Sequence, residues 1–264
     1  MPSPPPRSAS PPLAPVRSAR VAQVRQLTPR RRRVVLRTDT PEDVRTGPYA
    51  DTDAYVRLLL APESVTYPEP FDLDHVKATM PGESWPRMRS YTIRHKNPRT
   101  DEITLDFALH DRGGPATGWV RRVRPGDTVF YLQPRGTYRP GAGAAHHLLV
   151  GDDTSLSAVA AAAEHLPQGV GATVLLEVDS AHEEQLIDAP ERADIIWLHR
   201  GAHRAGTLLT DAVRHLHLPT AGLHAFVHGE AHAVREIRGH LLHDRGVPRD
   251  RISASGYWRH TPHP

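Results

Sequence analysis

The 264-residue chain contains no cysteine. That absence excludes disulfides, thiolate zinc sites, iron–sulfur clusters and cysteine nucleophiles together. Any redox chemistry must then use a borrowed cofactor. Long apolar runs are also missing: none approaches the roughly 20 residues that cross a bilayer. The opening segment MPSPPPRSASPPLAPVR lacks the apolar core of a secretory signal. A cytoplasmic location is expected. Nor is charge of one sign in excess, because 33 Lys and Arg face 30 Asp and Glu. So even a balance implies no nucleic-acid footprint. The run Arg30–Arg33 leads straight into Val34-Val35-Leu36 and reads as a solvated approach to a strand.

What is present divides the chain in two, as its length allows. Residues 1–17 are rich in Pro and Ser and read as a disordered tail. Residues 18–140 carry short β-type runs broken by Pro, Gly and Asp: Arg20–Arg25, Arg33–Arg37, Ala54–Leu60, Arg89–His95, Glu102–His110 and Thr128–Leu132. Six such strands without a long amphipathic helix predict an antiparallel barrel. In residues 145–264 buried strands alternate with helices, the pattern of a doubly wound parallel sheet. Its strands are expected at His147–Val150, Thr173–Val178, Ile195–His199, Leu223–His228 and Arg251–Ser255. Helices are expected at Ser155–His165, Thr207–His215 and Ala231–Asp244, with a weaker one near Glu183–Asp188.

Arg89-Ser90-Tyr91-Thr92 sits on a predicted barrel strand. Strand alternation points Arg89 and Tyr91 to one face, so a guanidinium can meet a diphosphate while an aromatic ring packs on a flat cofactor. Further on, Asp106-Phe107-Ala108-Leu109-His110 feeds a glycine-rich turn, Gly113-Gly114-Pro115-Ala116-Thr117-Gly118-Trp119. Such a turn brings backbone N–H groups close to phosphate oxygens. In the second half, Gly151-Asp152-Asp153-Thr154-Ser155 ends a strand and opens a helix, where doubly wound sheets bind dinucleotides. His199 and Arg200 bring positive charge to another strand end, suited to a phosphate or to a solvated loop. Gly229-Glu230 ends the next, where Glu230 either approaches a bound ligand or stabilises the following helix. Tyr257 and Trp258 close the last strand, as a cover over the cofactor or as core.

The Arg89–Thr92 segment matches the Arg-x-Tyr-Thr/Ser flavin signature of the ferredoxin reductase superfamily. The chain as a whole resembles the siderophore-interacting protein family. That resemblance rests on Tyr55–Leu60, Arg89–Thr92, Asp106–Trp119, Gln133-Pro134-Arg135-Gly136, Gly151–Ser155, Gly229-Glu230-Ala231 and Gly256-Tyr257-Trp258-Arg259, in the family's order. Departures are Arg57 for the usual Lys, Thr117 for Ser and Gln133 for Gly. The resemblance implies a ferredoxin-reductase-like pair of domains that binds FAD and NADPH or NADH and reduces a ferric siderophore to release Fe(II). FAD contacts are implied for Arg89, Tyr91, Thr92, Asp106, Phe107, Leu109, His110, Gly114, Pro115, Ala116, Thr117, Tyr257 and Trp258, with Thr92 beside the reactive nitrogen. Nicotinamide contacts are implied for Gly151, Asp152, Asp153, Thr154, Ser155, His199, Arg200, Gly229 and Glu230. A basic triad at Arg57, Arg135 and Arg259 is implied for the anionic chelate.

A nicotinamide gives two electrons as hydride whereas Fe(III) takes one, so a flavin is the natural converter. No protein metal site is expected: His146-His147, His215-x-His217 and His260/His263 lack a third partner and read as surface residues. A monomer without nucleic-acid or membrane partners is expected. A general flavin or ferredoxin-type reductase, and a ferric-chelate carrier without turnover, are the alternative readings.

Overall fold

The computed structural model describes residues 15–46, 51–109 and 113–260. The first half runs β1 (Val16–Thr28), β2 (Arg31–Thr38), α1 (Pro41–Thr46), β3 (Tyr55–Leu60), α2 (Leu73–Thr79), β4 (Arg87–Asn97), β5 (Glu102–Ala108), α3 (Pro115–Arg122) and β6 (Thr128–Arg135). Its six strands close into a barrel in the order β1-β2-β5-β4-β3-β6, every pair antiparallel. Alternation drives the closure: Val34, Leu36, Val56, Leu58, Ile103, Leu105 and Phe107 point inward and are completely buried.

The second half runs β7 (His146–Asp152), α4 (Leu156–Glu164), β8 (Gly171–Val178), β9 (Ala193–His199), α5 (Thr207–His215), β10 (Leu223–Glu230), α6 (Ala231–Gly239) and β11 (Ile252–Trp258). The five strands form a parallel sheet in the order β11-β10-β7-β8-β9. Its central strands read as nearly continuous apolar runs because both faces are covered. Helix α4 packs one face of the sheet, and α5 and α6 pack the other. Every residue from Leu156 to Ala163 is buried, although a helix on an open surface would keep a polar face. The reason is that α4 lies between the sheet and barrel strand β4. Its alanines allow both approaches.

The two-domain barrel-then-sheet order agrees with the sequence expectation, and four details correct it. Val16 and Arg17 already pair with Leu132 and Tyr131, so β1 begins inside the segment expected to be a tail; residues 1–14 lie outside the described residues. The weak helix near Glu183–Asp188 is absent: a single turn at Ala181–Glu183 is followed by irregular chain. Glu183 instead turns inward, accepting from the Thr28 hydroxyl and, at 3.0 Å, from the Arg30 backbone N–H. His147 is fully buried rather than on the surface, its Nε2 3.1 Å from the Gly141 carbonyl.

The arginine run is the largest correction. Arg31 is 3% exposed and donates to the Asp153 carbonyl at 2.7 Å. Arg32 donates to the Val120 carbonyl at 2.6 Å, and Arg33 grips Asp106 through two bonds of 2.7 and 2.8 Å. Alternation does send Arg31 and Arg33 out of the barrel. The second domain then covers that outer face. On the same face Arg94 of β4, 5% exposed, meets Glu164 at the end of α4 through two 2.5 Å bonds.

Burial alone would push the Glu164 carboxyl up, but the Arg94 hydrogen bonds and charge outweigh it and hold it below its ordinary value. A depressed carboxylate stabilises the fold above its unfolded value, roughly pH 4.3, and loses that contribution as the pH falls through the folded value. Acid unfolding followed by circular dichroism should therefore be less steep in Glu164→Gln. Removing one partner of a buried pair strands the other charge. Glu164→Ala should cost about 3–5 kcal/mol in urea denaturation, and Arg94→Met with Glu164→Leu should recover most of it. Equal losses in the single and double variants would contradict the pairing.

Candidate functional site

A cleft of ≈ 920 Å³ opens where the barrel meets the sheet, with walls from both domains. The barrel side begins with Arg89, Ser90, Tyr91 and Thr92 of β4. The Tyr91 ring packs at a tilt on Phe107 of the barrel core, with centroids 4.1 Å apart, and burial pushes its hydroxyl up to about 12. Arg89 is exposed; its only hydrogen bond within the described residues goes to the Met88 carbonyl, and no carboxylate faces it there. Thr92, two residues along the strand from Ser90, lines the cleft together with Tyr257 of the second domain and is close enough to temper the rise that burial imposes on the Tyr257 hydroxyl.

The next part of the wall is Asp106, Ala108 and the turn into α3. Gly113 and Gly114 have φ of 71° and 123°, a backbone that side chains rarely adopt, and a Cβ on either would meet only open space. Pro115 then starts α3 with its ring at the first turn, so the glycine-rich segment ends at a helix N-terminus rather than in a plain strand connection. Ala116 and Thr117 also line the cleft. Asp106 lines it while remaining committed to Arg33. Two expected contacts lie elsewhere: Phe107 is in the barrel core and Leu109 packs against that core, its N–H on the Arg30 carbonyl at 2.7 Å. His110 lies outside the described residues.

The sheet contributes Asp153, Thr154, Ser157, His228 and the end of β11 from Ser253 to Trp258. Tyr257 and Trp258 therefore belong to the cleft and not to the core. Asp152 does not line it. This carboxylate is 1% exposed and saturated: one oxygen accepts from Thr154 N–H at 2.9 Å and Thr154 hydroxyl at 2.7 Å, the other from Glu230 N–H at 2.8 Å and Trp258 Nε1 at 2.7 Å. Gly229 (φ 146°) has to be glycine, since a Cβ would sit 2.7 Å from Asp152 Oδ2. Ser155 is buried as well, its hydroxyl on the His228 carbonyl at 2.8 Å, and Gly151 is pressed against Val159 and Ser155. Glu230 is the N-cap of α6, accepting from His232 and Ala233 N–H at 2.7 and 3.0 Å. Burial would raise its carboxyl, but these backbone bonds and that from His260 hold it below its ordinary value. Of the two readings left open for Glu230, the helix-stabilising one is realised.

His199 is paired with Glu184 at 2.7 Å on an exposed edge. Arg200 is enclosed by carboxylates, 2.9 Å from Asp153, 3.0 Å from Asp179 and 3.6 Å from Glu177. Neither lines the cleft, and Arg200 is not presented as a free cation. Of the arginine triad, Arg135 lines the cleft while Arg57 and Arg259 do not; none of the three enters an ion pair among the described residues. Arg57 and Arg135 lie on neighbouring strands β3 and β6, Arg57 opposite Leu132 and Arg135 opposite Tyr55 across a register shift.

Sequence reasoning missed Arg31, Asp53, Tyr55, His228 and Ser253, all on the cleft wall. Arg31 carried a signal as an outward strand cation within the arginine run, and Tyr55 as the first residue of the Tyr55–Leu60 segment. The wall fits a large, flat, anionic cofactor. Arg31 Nε is buried without a partner, Arg89 is free of carboxylates, and two glycines and a helix N-terminus leave a cradle beside a tilted tyrosine ring.

Residues 20–138 match the family model described as the siderophore-interacting FAD-binding domain, and residues 144–261 match that described as siderophore-interacting protein. The crystal structure of a siderophore utilization protein from T. fusca is 36% identical, with a TM-score of 0.76 over 94% of this chain and 95% of that one. Ferric vibriobactin reductase ViuB of Vibrio cholerae is 29% identical over 226 residues, 77% of this chain and 83% of its own. The ferredoxin reductase of carbazole 1,9a-dioxygenase shares the fold alone, at 19% identity and a TM-score of 0.66 over 92% of this chain and 70% of that one. With both halves matched in order, the chain belongs to the siderophore-interacting protein family, its barrel being that family's FAD-binding domain.

Proposed function

We propose that the chain is a reductase that draws electrons from NADPH or NADH through FAD and delivers them to a ferric siderophore, from which Fe(II) is released. The observation that carries this reading is the single cleft in which the flavin signature Arg89–Thr92 faces the Ser253–Trp258 segment across the domain boundary. Bound FAD would supply the exchange between a two-electron hydride and one-electron transfers to iron. The protein's own groups bind and orient. Arg89 and the backbone N–H groups at the start of α3 take the diphosphate, a pairing favoured by charge-assisted bonds and the helix dipole. Tyr91 packs against the flat ring, and Thr92 offers its hydroxyl beside the reactive nitrogen.

Asp152, Ser155, Gly229 and Glu230 act on the nicotinamide side by shaping the strand ends rather than by touching it. Asp152 locks Trp258 and the start of α6 in place, and the Asp153–Thr154 turn forms the surface against which a dinucleotide lies. Arg57, Arg135 and Arg259 attract the chelate, whose hard anionic oxygens bind Fe(III) more firmly than Fe(II). The iron needs no protein ligand. ViuB, by its name, acts on ferric vibriobactin; its identity to this chain supports the same substrate class here. A cytoplasmic setting, where reduced nicotinamides are supplied, belongs to the same reading.

The first test is an anaerobic titration. The purified protein should be yellow, bleach with NADPH or NADH, and regain its colour on addition of a ferric siderophore; a colourless protein that takes up no FAD would sink the proposal. A second test concerns the triad. Replacing Arg57, Arg135 and Arg259 together by Ala should raise KM for an anionic ferric chelate at least about tenfold, given ~1.5–3 kcal/mol per charge-assisted hydrogen bond, with a smaller effect on flavin reduction by nicotinamide. Unaltered chelate kinetics would remove the triad from the site.

A further inference from the structure

Among the described residues the cleft holds one histidine, which neither the flavin signature nor the arginine triad uses. His228 stands at the carboxyl end of β10, 4% exposed, its ring stacked on Phe226 at 3.8 Å and edge-on to Tyr257 at 5.3 Å. Both ring nitrogens have hydroxyl partners on the cleft wall. Nδ1 lies 3.2 Å from Tyr257 Oη and Nε2 lies 3.3 Å from Ser253 Oγ. Thr92 lines the same wall as Tyr257 and lies close enough to lower its hydroxyl against the rise from burial. Groups with exchangeable protons on β4, β11 and β10 thus stand in series, and all four line the same cleft.

A histidine kept only for packing needs no such partners on both sides. A neutral imidazole has one N–H and one lone pair, so it accepts a proton at one nitrogen while giving one from the other. Burial pushes this ring down to about 4, so near neutral pH it passes a proton on instead of storing it. Thr92 is the residue to which the flavin signature gives a place beside the reactive nitrogen. The series therefore begins where the chemistry occurs.

We propose that Thr92, Tyr257 and His228 form a relay that carries away the proton freed when the reduced cofactor gives its electrons to iron, handing it to Ser253 and solvent. This rests on the reductase reading above. The balance is simple. A hydride brings two electrons and one hydrogen nucleus, and no other proton is needed on reduction. Two Fe(III) then take the two electrons, and one proton must leave the nitrogen. Its N–H bond breaks as Thr92 Oγ1 accepts; the Thr92 proton passes to Tyr257 Oη, the Tyr257 proton to His228 Nδ1, and the Nε2 proton to Ser253 and on to solvent. The ring regains its Nε2–H form by exchange with solvent between turnovers. Tyr257 and His228 are positioning and proton-passing residues in this scheme.

The test has two parts. In the cofactor-free protein, imidazole 15N shifts at neutral pH should show His228 neutral with its proton on Nε2; an Nδ1–H ring or an imidazolium overturns the relay. In stopped-flow with the FAD-loaded protein, reoxidation by a ferric chelate should show a solvent deuterium isotope effect. His228→Ala and Tyr257→Phe should each lower the ratio of reoxidation rate to reduction rate at least about tenfold, the low end of a proton-transfer contribution being ~10²-fold. Added imidazole should restore part of the loss in His228→Ala. An unmoved ratio in Tyr257→Phe overturns the relay alone, even if His228→Ala fails to fold. A chain that takes up FAD but is reduced by neither nicotinamide overturns the reductase reading instead.

Discussion

One buried carboxylate sets the geometry on which the cleft depends. Asp152 ends the central strand β7, and its two oxygens tie the Thr154 turn, the start of α6 and the Trp258 indole to a single point. A carboxylate at 1% exposure is stable only where donors surround it, so each of these groups is held by the cost of leaving it unpaired. Three strand ends, β7, β10 and β11, are thereby fixed relative to one another. Gly229 follows from the same constraint, because any side chain there would collide with Asp152.

The joint between the domains has a similar logic, written in cations. Arg31 and Arg94 leave the barrel on its outer face and end at Asp153 and Glu164 of the second domain. Thr28 and the Arg30 backbone meet Glu183 nearby. Buried pairs of this kind contribute little net stability compared with apolar packing, but breaking one leaves a charge stranded. They favour one docking of barrel on sheet over others. Since the cleft is the gap left by that docking, the ion pairs determine its width.

Much of this was legible in the sequence, for a physical reason. Strand and helix periods depend on neighbours in the chain, so the six barrel strands and five sheet strands were readable with small errors at their ends, and Thr207–His215 was readable to the residue. The Arg89–Thr92 signature was readable because its function requires those types at fixed spacing on one strand. What escaped was set by partners far away in sequence. Arg31–Arg33 looked solvated because nothing local revealed their partners, the Asp153 carbonyl of the second domain, the Val120 carbonyl of α3 and Asp106 of β5; Arg30 is indeed exposed. Asp152 looked like a ligand contact, and Glu230 like either a contact or a helix-stabilising acid, because a strand end in this fold is where ligands bind; only coordinates show that both are already committed to backbone N–H groups and an indole. His228 had no local signal, since its partners come from other strands.

The division between committed and uncommitted polar groups also orders the cleft. The acids that line it, Asp53, Asp106 and Asp153, are each engaged by a cation or by backbone donors, so their negative charge is offset before any ligand arrives. The cations at its mouth are different: Arg89 and Arg135 line the opening without carboxylate partners among the described residues. An anionic molecule approaching from solvent therefore meets uncompensated positive charge first and a neutralised interior afterwards. Low-dielectric walls concentrate that field toward the opening. Exchanging positions, with free acids inside and paired arginines outside, would give the same net charge and repel both a phosphate-bearing cofactor and an anionic chelate. The placement of pairs, more than the overall charge of +3, suits the cleft to anions.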